Sequence, residues 1–191
     1  MHRFFLTIAR LGAILGGIVL TVLVVLTVVS VTGRGLNGLF HADWLVALAP
    51  GLAQRALDAG VGPVQGDFEL VEAGIAFAIM AFLPLAQITG AHATVDIFTQ
   101  KLPAGLQRGL IAFWEVLFAV ALVVISWRLY EGMSGKMRYN ETTLVLQFPV
   151  WWAYGACFAA SVLAAVVGVY VALVRCAELA TGRVIIGGDA A

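Results

Sequence analysis

Hydrophobic residues crowd into four long stretches of the chain, and the polar residues fall mostly between them. Positions 11–31, 68–88, 109–128 and 149–174 each reach or exceed the roughly 20 apolar residues that a helix needs to cross a bilayer. Between the second and third stretch the pattern changes. Ile88, Ala91, Val95, Phe98 and Leu102 recur at steps of three and four, which sets them on one stripe of a helix. Thr89, His92, Asp96 and Thr99 fall on the neighbouring flank, and Pro103 stops the helix near Leu102. This spacing predicts a short amphipathic helix over 89–102, lying where membrane meets water. The expected fold class is all-α integral membrane: four transmembrane helices with an interfacial helix between the second and third, in a single membrane domain over 1–191.

The segments around these spans refine that picture. Arg3 and Arg10 precede the first span as in a signal peptide, but the apolar run is too long and no small-x-small cleavage site follows it. A retained span is expected. Gly12 and Gly16 form one GxxxG, read as a close-packing surface. Residues 32–66 are too long for a simple connection and read as a surface loop with interfacial helical pieces, Pro50 opening one of them. In the last span Ala156, Ala160, Ala164, Gly168 and Ala172 repeat every four residues. Side chains that small let another backbone approach closely, so the stripe predicts a packing surface whose partner is internal or a second protein.

Three acids fall within the apolar stretches. Glu69 and Glu72 share a face at the start of the second span, where they suit the positive end of the helix dipole better than a buried ion site. Glu115 lies two turns past Arg108, deep enough to cost about 2–3 kcal/mol if left in lipid. It belongs to a transport pathway or, equally, faces another subunit, a setting preferred over exposure to lipid; its position alone does not choose between a partner and the core. Four crossings put both termini on one side, and the N-terminal arginines weigh that side toward the cytoplasm.

Of the 191 residues, 62% are hydrophobic and 12% charged, whereas about a quarter are charged in soluble domains. Eleven basic residues balance eleven acidic ones, so nothing points to nucleic acid. Cys157 and Cys176 would lie roughly 28 Å apart on one helix and cannot pair. Gly132-Met133-Ser134-Gly135 matches the GxSG of intramembrane serine proteases, but no histidine follows His92 to serve as base. His92 and Asp96, four apart, supply two ligands of different type, too few for a metal. No haem ligands or phosphate-cradling loop are found, so neither an enzyme nor a cofactor is expected.

Glu69, then the run Gly90-Ala91-His92-Ala93-Thr94-Val95-Asp96-Ile97-Phe98, resembles the small membrane subunit of tripartite ATP-independent periplasmic (TRAP) transporters, the DctQ-like family. Members commonly show Gly-x-His-x-x-Val-Asp at this bend. Asn140-Glu141-Thr142-Thr143 followed by Phe148-Pro149-Val150-Trp151-Trp152-Ala153-Tyr154 resembles the family's approach to its last span. The likeness runs from about Glu69 to Tyr154. A basic residue often precedes the Gly-x-His, where Ile88 and Thr89 stand here, and Thr143 stands where serine is common. The resemblance implies a scaffold subunit of the bacterial inner membrane, paired with a large membrane subunit that carries solute and coupling ions. A periplasmic substrate-binding protein would deliver organic acids or similar solutes. Interface or structural roles then fall to Glu69, Gly90, His92, Asp96, Glu115, Glu141, Pro149, Ala156, Ala160, Ala164 and Gly168. The alternative is a small self-sufficient transporter or channel, a homodimer built around Glu115 or Glu69.

Overall fold

The computed structural model describes residues 2–90 and 103–181. Six helices account for most of them: α1 (His2–Phe40), α2 (Asp43–Leu48), α3 (Pro50–Asp58), α4 (Asp67–Thr89), α5 (Ala104–Arg138) and α6 (Trp151–Thr181). Four of these, α1, α4, α5 and α6, are long and apolar enough to cross a membrane. In hydrocarbon every backbone N–H and C=O must be paired within the protein, which a continuous helix does by itself. Hydroxyls in the apolar stretches follow the same rule. Thr21 and Thr27 donate to the carbonyls of Gly17 and Leu23, each at 2.8 Å. Among the described residues there is no strand, only an isolated antiparallel bridge between Thr142 and Pro149.

Helix α1 continues through 32–40, and α2 and α3 occupy 43–58, so helix covers much of the segment read from sequence as the first loop. Helix α4 closes at Gly90, whose φ of 64° is left-handed and suits a residue without a Cβ. Residues 91–102, where the interfacial helix is expected, lie outside the described residues.

The spanning helices pack as an open row in the order α1, α4, α6, α5. Small residues set the approach at each contact. A Cβ on Gly16 would stand 3.0 Å from that of Ala81, and one on Gly74 would stand 2.7 Å from Leu23 Cδ1. The GxxxG of α1 is thus seated on α4. Ala9, Ile88, Val167 and Val171 form a buried cluster joining α1, α4 and α6, with the Phe5 ring stacked on Tyr170 at 4.2 Å. On the other flank of α6, Leu122 reaches over Gly168 and Gly132 lies under the Tyr154 ring. Half of the most apolar window of α6 is buried inside the chain, against 17–22% for the other three. Of the two inner helices of the row, α4 and α6, it is the more buried.

Candidate functional site

Polar side chains gather toward the two ends of this row, and several of them hold one piece of backbone or helix to another. At the end carrying Phe40, Asp67 and Trp151, the fully buried Ser30 of α1 donates to Asp67 Oδ2 at 2.5 Å and accepts the Val64 N–H at 3.2 Å. Arg34 approaches the same carboxylate at 3.4 Å, and its guanidinium lies 5.6 Å above the Phe68 ring. Asn37 donates to the Val61 carbonyl at 2.9 Å. A Cβ at Gly33 would collide with the Gly62 carbonyl, so glycine is what lets this segment lie against α1. Together these contacts pin the chain leading into α4 onto the outer part of α1.

Glu69 does the same for the turn between α5 and α6. Its Oε1 accepts the Val145 N–H at 2.7 Å and its Oε2 the Leu146 N–H at 3.0 Å. Both oxygens of one carboxylate therefore grip adjacent amides 76 and 77 residues away, a charge-assisted arrangement. The turn is braced from inside as well. Thr143 N–H donates to Phe148 O and Val150 N–H to Glu141 O, both at 3.0 Å, while Lys136 pairs with Glu141 at 2.5 Å. Leu144 at the tip is 90% exposed. Beside the turn a partly open cleft of about 540 Å³ is lined by Glu69, Glu72 and Thr143 together with the apolar Ala76, Phe148 and Cys157.

Toward the other end, Gln87 of α4 is 2% exposed and donates to Glu115 of α5. The carboxylate of Glu115 thus meets the buried amide of a helix in the same chain. Arg175 and Glu178 pair at 2.8 Å one turn before the end of α6.

Glu69, Glu115, Glu141 and Pro149 are thus parts of internal clasps, and Gly90 ends α4. His92 and Asp96 lie outside the described residues. Ala160, Ala164 and Gly168 are buried against neighbouring helices, whereas Ala156 is exposed. The chain's own helices thus cover the stripe toward Ala164 and Gly168 and leave Ala156 open. Ser30, Gln87 and Lys136 escaped sequence reading. A glutamine late in an apolar stretch was the available signal for Gln87, but a serine among valines carries no such mark. Among the described residues no three His, Cys, Asp or Glu side chains come together as a metal would require.

Four helices long and apolar enough to span a bilayer, tied together by polar contacts near their ends, define a helical membrane protein. The family model described as tripartite ATP-independent periplasmic transporters, DctQ component, matches residues 54–179. The chain belongs to that family, one of small components of TRAP transport systems and not a family of enzymes. No curated protein and no solved structure gives a match.

Proposed function

We propose that this chain is the stationary scaffold of a TRAP importer, sitting in the bacterial inner membrane with both termini cytoplasmic. It pairs with a large membrane subunit that moves solute and coupling ion, while a periplasmic binding protein supplies organic acids or related solutes. The observation that carries this reading is Glu115. The carboxylate placed deepest among the spans is held by Gln87, within one chain. A group engaged in joining α4 to α5 serves rigidity, which is what a scaffold contributes to a partner with moving parts.

Co-expression with a large subunit tests it. The two chains are expected to purify as a stoichiometric complex, and proteoliposomes containing the complex and a binding protein are expected to accumulate solute. Vesicles holding this chain alone are expected to stay silent. Solute accumulation by the lone chain, abolished by Glu115→Gln, would establish the self-sufficient transporter instead.

A further inference from the structure

Helices α4 and α6 are neighbours in the row, yet toward the Trp151 end their facing side chains are small and leave room between them. Ala73 and Ala76 of α4, Ala153 and Cys157 of α6, and Leu129 of α5 line the cleft that results. At about 540 Å³ it falls within the roughly 300–1,000 Å³ usual for sites that hold small molecules. From Glu69 to Ala76, and again from Val150 to Cys157, it follows the chain for about seven residues, or about 10 Å of helix.

Its polarity is one-sided. Glu69 and Glu72 lie in the first two turns of α4, and Thr143 in the turn that Glu69 grips, whereas Ala76 and Cys157 lie further along the spans and are apolar. Trp151 and Trp152 open α6 at the same end, as tryptophans do at headgroup level. The cleft therefore runs from the headgroup region into hydrocarbon.

Two polar groups are left over there after the chain's own contacts. Glu69 spends both carboxylate oxygens on the Val145 and Leu146 amides. Glu72 is exposed and has neither an ion pair nor a hydrogen bond among the described residues. Thr143 Oγ1 is itself buried and lacks a hydrogen-bond partner. A carboxylate about 7–8 Å past the start of a span is costly unless a cation or water attends it. A hydroxyl hidden from water is costly until it finds an acceptor. No lysine or arginine lines the cleft, so its field is negative.

We propose that this cleft holds one phospholipid whose headgroup carries a primary amine, phosphatidylethanolamine being the simplest. The ammonium sits on Glu72, a phosphate oxygen accepts the Thr143 O–H, and one acyl chain runs inward over Ala73, Ala76 and Cys157. The charges choose among lipids. A quaternary ammonium has no N–H to donate to a carboxylate, and an anionic headgroup without an amine is repelled by Glu69 and Glu72. Ethanolamine is expected to be preferred to choline, and choline to glycerol. A second groove, about 310 Å³ between α5 and α6 near Val120 and Leu173, supplies the contrast: no charged side chain lines it, so nothing there selects a headgroup. The cleft is built from this chain's own helices, so the lone chain suffices to test it whether or not a large subunit binds.

Native mass spectrometry of the full-length chain provides the test, with ethanolamine, choline and glycerol phospholipids of matched acyl chains supplied in equal amounts. One ethanolamine lipid is expected to be retained about tenfold over the choline lipid. Glu72→Gln is expected to bring that ratio to within about twofold, with the unfolding midpoint unchanged. Ala76→Leu, at an exposed position lining the cleft, is expected to lower retention of the ethanolamine lipid several-fold. A carbodiimide, which joins a carboxylate to a primary amine, is expected to form the lipid amide at Glu72 in clear excess over Glu131, an acid on α5 that is paired with Arg128. Equal retention of ethanolamine and choline lipids by the parent, or a preference that survives Glu72→Gln, would overturn the proposal. So would a co-expressed complex with a large subunit that carries no lipid and has Glu72 joined by carbodiimide to the partner chain.

Discussion

Helix α6 and helix α1 are both apolar along most of their length, yet they stand in opposite relations to the rest of the molecule. Half of the apolar window of α6 is buried within the chain, and only 17% of that of α1, although α1 is the more hydrophobic. In water that ranking would be reversed, because burial would follow apolar area. In lipid the surroundings are as apolar as leucine, so hydrophobicity gives no reason to leave them. Close packing does. Ala160, Ala164, Gly168 and Ala172 give α6 a smooth surface that neighbouring side chains can cover, whereas Val22, Val25 and Val29 leave α1 ridged and facing outward.

Substitutions that exchange these characters should have unequal effects. The largest is expected from Ala164→Leu, which forces three methylene-scale groups into a fully buried site and should cost about 3 kcal/mol or more, read as a lowered unfolding midpoint in mild detergent. Leu122→Ala removes the side chain over Gly168. About 2 kcal/mol is expected, the low end of the range for soluble cores, because lipid rather than water is the reference. Glu69→Gln keeps one acceptor and loses the paired grip on the α5–α6 turn. Amide exchange at Val145 and Leu146, followed by mass spectrometry, should quicken by roughly tenfold with little change in the midpoint. Smallest of all is Val25→Leu on the exposed face of α1, expected within about 0.5 kcal/mol of the parent. If Val25→Leu proved as costly as Ala164→Leu, the contrast between a packed inner helix and a lipid-facing edge would be broken.

The clasps at the ends of the row extend the same contrast. Polar groups along α1 and α4 are spent where chain segments would otherwise separate: Ser30 on Asp67, Asn37 on Val61, Glu69 on Val145 and Leu146, Gln87 on Glu115. Each joins parts far apart in sequence, so none has a local pattern to reveal it. Glu69 looked like a charge suited to a helix start, and only the returning turn shows what it holds. Glu115 was suspect because of its depth, yet depth alone cannot distinguish a neighbouring chain from a neighbouring helix.

Four apolar stretches and the order of motifs along them were enough to establish a four-span helical membrane protein of the TRAP small-component family, because helix formation in hydrocarbon is a local requirement that each segment meets by itself. The small-residue stripe of α6 likewise announced a packing surface, since backbone approach depends on side-chain size and spacing alone. Tertiary structure decided what fills that stripe, which backbone Glu69 grips, and that Glu115 turns inward to Gln87. It also set the register between helices, with Gly16 against Ala81 and Gly74 against Leu23. Those outcomes depend on which residues of distant segments come level, a relation that no single helix encodes.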